Sequence, residues 1–183
     1  MVKIETINTE RFILRQMVES DSESIFRILS DKETAKYLNM AKVNTLSDAD
    51  ALVKDYLSQY AVGEKFPFAI TEKNSEDLIG VFLIKRDLYN PDSFEFTVYI
   101  KREMWNRGIY SEVLPYMTDF AFQKIGTGNF RGFIMISNKA SGNVLTKHGF
   151  ILEKTFAVDG LPEAIESYMM TKEKYYNQAL NLL

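Results

Sequence analysis

The chain has 183 residues, a length that fits one domain burying about 70% of its unfolded surface. Its 46% hydrophobic and 26% charged content is that of a soluble globular protein, and its net charge of −3 comes with no block of like-signed residues, which argues against a nucleic-acid module and its basic patch. There is no cysteine and one histidine, so disulfides, thiolate metal sites and a cysteine nucleophile are excluded, and both a zinc cluster and a Ser-His-Asp triad not centred on His148 are disfavoured.

The opening run Met1-Val2-Lys3-Ile4-Glu5-Thr6-Ile7 has no apolar signal core, and no segment approaches a membrane span, so a cytoplasmic location is expected. Arg11 to Arg15 reads as a strand with Phe12 and Leu14 on one face. A helix follows, capped by Ser20 or Asp21, with Ile25, Phe26, Ile28 and Leu29 as its apolar stripe. Asp31 to Asn44 reads as irregular, and Ser47 opens a second helix carrying Ala51, Leu52, Tyr56 and Leu57. Then the pattern turns to strands: Phe66 to Ile70, Leu78 to Ile84 and Phe94 to Ile100, separated by turn-like Lys73 to Asp77 and Tyr89 to Asp92. That spacing predicts an antiparallel meander.

A helix starting near Gly108 buries Val113, Leu114, Met117, Phe120 and Ala121, with Pro115 weakening its early turns. Next come a strand from Gly132 to Ile136 and a helix from Asn138 to Lys147. His148 follows at that helix's end, where an imidazole near the last carbonyls is a common structural feature. Strands from Phe150 to Phe156 and Ile165 to Met170 and a tail helix to Leu183 complete the chain. Strand, helix, strand across Gly108 to Ile136 is a crossover that calls for a parallel pair. The expectation is one mixed α/β or α+β domain over residues 1–183.

The junction Trp105-Asn106-Arg107-Gly108-Ile109-Tyr110-Ser111-Glu112 holds the chemistry. A helix N-terminus leaves backbone N–H groups unpaired and carries partial positive charge, so it suits a phosphate or pyrophosphate. Gly108 lets the backbone approach the anion closely.

Several segments in order resemble the GCN5-related N-acetyltransferase (GNAT) superfamily, and within it the ribosomal-protein-type N-acetyltransferases. They are Thr9 to Arg15, Phe68-Ala69-Ile70 with Ile79-Gly80, Glu95 to Ile100 ahead of Trp105, the octapeptide itself, Asn138 to Ser141, and Lys147 to Phe150. The resemblance implies an α+β fold with a central, mostly antiparallel sheet of about seven strands flanked by helices. It implies acetyl-CoA as co-substrate, lying where the strand from Glu95 to Ile100 splays from the next. The pantetheine arm would pair with the backbone of Val98, Tyr99 and Ile100, and the pyrophosphate would sit on N–H groups of Arg107, Gly108, Ile109, Tyr110 and Ser111. Asn138 would bind the pantetheine or place the thioester, and Ser141 would contact the cofactor or assist the departing thiolate. Asn138 is equally suited to cap a helix, and the two roles are compatible.

Acetyl transfer needs a neutral amine. An α-amino group, with a pKa of about 7.7–8.0, needs less help than a lysine near 10.4. Glu95 shares a strand face with Thr97 and Tyr99, opposite Phe94, Phe96 and Val98. If that face lines the acceptor cleft, Glu95 is the general base; the alternative is a solvated strand glutamate. A backbone N–H near Val98 or Tyr99 would steady the oxyanion, and without cysteine the transfer is direct, in a ternary complex. The acceptor is a protein N-terminus or a small amine, with Tyr37, Met40, Asp159 and Glu163 on segments flanking the cleft. No metal, nucleic-acid or membrane partner is expected, and a homodimer is compatible with these expectations.

The chain departs from the family pattern at Tyr110, where glycine or alanine is usual, and more mildly at Asn106, Thr97 and Pro115. Tyr110 and Thr97 motivate a second hypothesis, a catalytically weak or inactive module that binds acetyl-CoA or another CoA ester. A nucleotide-binding enzyme using Gly108 lacks both the Gly-Lys-Ser/Thr ending and the G-x-G-x-x-G pattern.

Overall fold

Apolar strands at Phe12–Gln16 and between Lys65 and Ile100 build the meander that organises the chain. The computed structural model describes residues 4–38 and 42–180, so Met40 and the tail beyond Leu180 lie outside the described residues. Strands β1 (Ile7–Asn8) and β2 (Phe12–Gln16) precede helices α1 (Ser22–Leu29), α2 (Lys32–Ala35) and α3 (Leu46–Val62). Strands β3 (Lys65–Glu72), β4 (Leu78–Arg86) and β5 (Ser93–Ile100) follow. Helix α4 (Ile109–Asp119) runs on as a π-helical turn, Phe120–Ile125, into β6 (Asn129–Met135). Helix α5 (Lys139–Lys147), β7 (Ile151–Phe156), β8 (Ile165–Thr171) and α6 (Lys172–Leu180) come last.

The sheet has eight strands in the order β1-β2-β3-β4-β5-β6-β8-β7. Every neighbouring pair is antiparallel except β5 and β6, which the α4 crossover joins in parallel. The additional strand relative to the expected sheet is short: Ile7 and Asn8 pair with Leu14 and Ile13. Among the described residues no helix is long and apolar enough to cross a membrane.

Two helix boundaries differ from the sequence expectation, each for a capping reason. Thr45 rather than Ser47 opens α3, because its side chain accepts from the Asp48 N–H while the Asp48 carboxylate accepts from the Thr45 N–H. The segment expected to be irregular contains α2, because the Asp31 carboxylate accepts from both the backbone N–H and the hydroxyl of Thr34.

Strand alternation divides the apolar residues between two layers. Phe94 and Phe96 face the larger core, which holds Val113, Leu114 and Met117 of α4. Tyr99 faces the second core, with Ile25 of α1 and Val53 and Tyr56 of α3.

The start of α4 is fixed by a clamp spanning more than half the chain. The Glu112 carboxylate accepts from the Thr9 hydroxyl at 2.6 Å, the Arg11 backbone N–H at 2.7 Å and Arg11 Nε at 2.6 Å. Burial alone would raise the Glu112 pKa, but these donors and the guanidinium charge outweigh it and hold it below the ordinary glutamate value. A depressed carboxylate contributes stability that is fully present above its unfolded pKa of about 4.3 and is lost as pH falls through the lower folded value. Glu112→Gln should therefore cost about 2 kcal/mol at pH 7, and the gap from the parent should narrow below pH 4. Urea unfolding at both pH values checks this; a gap that does not change with pH would remove the clamp's ionic part.

Candidate active site

Strands β5 and β6 pair only from Ser93–Phe96 to Asn129–Gly132. Beyond that point β5 continues to Ile100 bonded to β4 alone, while β6 continues to Met135 bonded to β8 alone. From Thr97 to Ile100 every second residue therefore turns its N–H and C=O into an open gap. The parting occurs where the Phe96 ring lies over Gly132: a Cβ at 132 would stand 2.6 Å from Phe96 Cζ. The gap opens into a cleft of about 570 Å³ bounded by both strands, the starts of α4 and α5, and α2 with its following turn.

The octapeptide forms one end of the cleft. Asn106 and Gly108 both take left-handed backbone angles, with φ of 60° and 74°, a conformation suited to asparagine and glycine. Gly108 is the N-cap of α4 and supplies no side-chain cap. The first helical bond runs from Glu112 N–H to the Gly108 carbonyl. The N–H groups of Ile109, Tyr110 and Ser111 thus have no intrahelical acceptor, the arrangement that binds anions at helix starts. Arg11 braces the loop through a bond from Nη1 to the Arg107 carbonyl, and Trp105 Nε1 donates to the Ile100 carbonyl at 2.8 Å, tying the loop to the end of β5.

The second wall comes from α5. Asn138 is its N-cap, with Oδ1 accepting from the Ser141 N–H at 3.3 Å, and Asn138 and Ser141 both line the cleft. Capping consumes the oxygen and leaves the Asn138 amide N–H₂ available to a ligand. Beside it, Ser137 is bound through its N–H and hydroxyl to the Glu163 carboxylate. Glu163 therefore fastens the loop before β8 to the start of α5.

Of the residues singled out from sequence, Val98, Tyr99, Ile100, Gly108, Ile109, Tyr110, Ser111, Asn138 and Ser141 line this one cleft. Arg107 is exposed and stands outside its lining. Glu95 also lies outside the lining; its carboxylate is 2.5 Å from Lys85 Nζ, across the β4–β5 ladder. Tyr37 reaches the cleft, whereas Asp159 does not.

Sequence reasoning missed three contacts that shape the site. The Arg11–Glu112 clamp positions α4. Ser111 Oγ lies 2.8 Å from His148 Nε2, joining the start of α4 to the end of α5. Burial, and then the charge of Lys147, depresses the His148 pKa, so the imidazole is neutral at physiological pH. The Tyr99 hydroxyl lies 3.2 Å from that of Tyr56, and burial pushes Tyr99 well above the ordinary tyrosine value and Tyr56 to about 12. None of these pairs is nearer than 37 positions in sequence, which puts them beyond any local signal.

The cleft's electrostatics are simple. Lys139 is the one ionic side chain among its described lining residues, which include no aspartate, glutamate or histidine. No group of three or more His, Asp or Glu among the described residues could hold a metal ion.

Comparison with known proteins agrees with this geometry. Residues 11–151 match the acetyltransferase (GNAT) domain family. The chain is 24% identical over 172 residues to the uncharacterized N-acetyltransferase YoaA of Bacillus subtilis (strain 168), covering 92% of this chain and 97% of that protein. Among solved structures, RimL, a ribosomal L7/L12 α-N-protein acetyltransferase in complex with coenzyme A, superposes with a TM-score of 0.80 at 17% identity, over 93% of this chain and 99% of that one. A spermidine N-acetyltransferase from Vibrio cholerae, in complex with CoA and spermine, gives 0.77 at 17% identity, over 91% and 98%. A family match across most of the chain, on a sheet of this topology, makes the protein an acyltransferase of the GNAT family.

Proposed function

We propose that the chain moves an acetyl group from acetyl-CoA directly to a primary amine, and that the preferred acceptor is a protein N-terminal α-amine. The observation that carries the acceptor class is the lack of any carboxylate or imidazole among the described residues lining the cleft. An acceptor with a pKa near 10.4 would need a strong base in contact with it, whereas an α-amine of about 7.7–8.0 is already partly neutral at working pH. A polycation would also find no opposite charge to pair with. This favours a protein α-amine, the acceptor of RimL, over a polyamine, the acceptor of the spermidine enzyme.

The chain's residues fit a CoA thioester. The open edge of β5 from Thr97 to Ile100 can pair with the amides of a pantetheine arm, the free N–H groups of Ile109 to Ser111 suit a pyrophosphate, and Asn138 and Ser141 face the space between. Acetyl-CoA supplies the activated acetyl thioester. The Val98 N–H, on the open side of β5, is the candidate donor to the oxyanion, whereas the register turns the Tyr99 N–H toward Val81 of β4. Ser141 is the candidate hydroxyl for the departing thiolate. Glu95, engaged with Lys85 and outside the lining, serves as base through a bridging water beside Thr97. A cytoplasmic setting and direct transfer belong to the same reading.

Purified chain incubated with acetyl-CoA and a panel of N-terminal peptides, spermidine and amino sugars, with free thiol as readout, tests this. Turnover on peptides well above that on spermidine is expected. Preference for spermidine would overturn the acceptor class; CoA binding without turnover on any amine would favour the inactive-module reading. Glu95→Gln should lower peptide turnover about tenfold at pH 7 and less at pH 9, where the amine is neutral unaided.

A further inference from the structure

The cleft is lined by an aromatic hydroxyl that has no hydrogen-bond partner among the described residues. Tyr110, in the first turn of α4, lines the cleft, and its ring packs against the larger core. Among the described residues its hydroxyl makes no hydrogen bond, and burial raises its pKa. Among the described residues no wholly enclosed side-chain nitrogen or oxygen lacks a partner, so the Tyr110 oxygen is not sealed in the core, and the residue that carries it lines the cleft. An unpaired polar group in low-polarity surroundings is costly unless a ligand satisfies it.

The surroundings limit which ligand atom that is. Burial pushes Tyr110 far above the ordinary tyrosine range. The phenol is thus a persistent donor and too weak an acid to give its proton to a thiolate with a pKa of about 8.5. Phe96, Ile134 and Val144 share the cleft with it, and a pyrophosphate brought among these apolar side chains would lose hydration, while Lys139, the one cation of the described lining, is already paired with Glu166. Asn106 and Gly108 are exposed at the open end, where that anion keeps its water. A neutral amide carbonyl carries no such penalty.

We propose that the Tyr110 hydroxyl donates a hydrogen bond to an amide carbonyl of the CoA pantetheine arm, so that this side chain, and not the backbone alone, selects a pantetheine-bearing co-substrate. This rests on the CoA reading above. Titration calorimetry of the parent, Tyr110→Phe and Tyr110→Ala with CoA and with 3′,5′-ADP, which lacks the arm, tests it. Tyr110→Phe should weaken CoA about fivefold to tenfold, leave 3′,5′-ADP unchanged, and melt no lower than the parent. Unchanged CoA affinity in Tyr110→Phe overturns the contact, tighter CoA binding in Tyr110→Ala shows the ring to be an obstruction, and equal losses for both ligands move the contact to the phosphates. A parent that binds no CoA overturns this proposal together with the reading beneath it, whereas CoA binding indifferent to Tyr110→Phe overturns this proposal alone.

Discussion

Replacing Phe96 with alanine should remove about 3–5 kcal/mol of folding stability and lower the melting midpoint by roughly 10 °C. The ring is 5% exposed and meets three others: Phe82 at 5.3 Å, Phe130 at 4.5 Å and Phe150 at 5.6 Å between centroids. Such contacts add to the area term, and a rigid sheet beneath them cannot collapse to fill the void. Phe96 also lies over Gly132 where β5 and β6 part, so its loss should loosen the cleft and weaken CoA binding as well. Leucine, which keeps much of the volume, should recover over half of the stability. A loss below about 1 kcal/mol for alanine, read by chemical denaturation, would mean that the ring cluster is not close-packed.

The second large effect concerns Gly108. Its φ of 74° is strained for any residue with a Cβ and most strained for a β-branched one, at about 1–3 kcal/mol. The space itself is available: an added Cβ would meet only Arg11 Nη2, at an ordinary 3.5 Å. Gly108→Val should therefore fold, but with its N–H groups turned away from the cleft, and bind CoA at least tenfold more weakly. Gly126→Val is the matched control. Its φ is 82°, nothing lies within 4 Å of an added Cβ, and it closes the π-helical turn away from the cleft. It should lose comparable stability with CoA affinity intact. Equal affinity losses in both variants would show that general destabilisation, rather than the cradle, weakens binding.

The meander and the crossover were readable in the sequence because both are written in short β-rich runs and turn chemistry. The strands from Lys65 to Ile100 are apolar runs broken by turn residues, with β3 and β4 buried on both faces, and a helix between strands dictates the parallel pair. The unpaired N–H groups at the start of α4 were readable because a helix start is a local feature. The clamp on Glu112 was not, because nothing near Glu112 names Thr9 or Arg11. The splay point was not either: it depends on a phenylalanine ring meeting a glycine 36 positions later, a packing fact without a periodic signature. The Glu95–Lys85 pair was within reach, since counting back across the hairpin turn places Lys85 opposite Glu95. Periodicity assigned Glu95 a face but could not show that a lysine already occupies its carboxylate. At α3, Ser47 drew attention from Thr45, although the Thr45-x-x-Asp48 spacing carries the stronger capping signal.

The clamp between Thr9, Arg11 and Glu112 has a bearing on how the chain is made. Its two sides are separated by 101 positions from Arg11 to Glu112, so Thr9 and Arg11 leave the ribosome well before the carboxylate that fastens them to α4. At synthesis rates of about 5–20 residues per second that interval lasts seconds, far longer than the microseconds a hairpin needs to form. The meander from β3 to β5 can therefore pair while β1 and β2 still lack their anchor on α4. A substitution at Thr9 or Arg11 would thus act on a contact made well after those residues emerge, and its first effect would fall on the yield of folded chain.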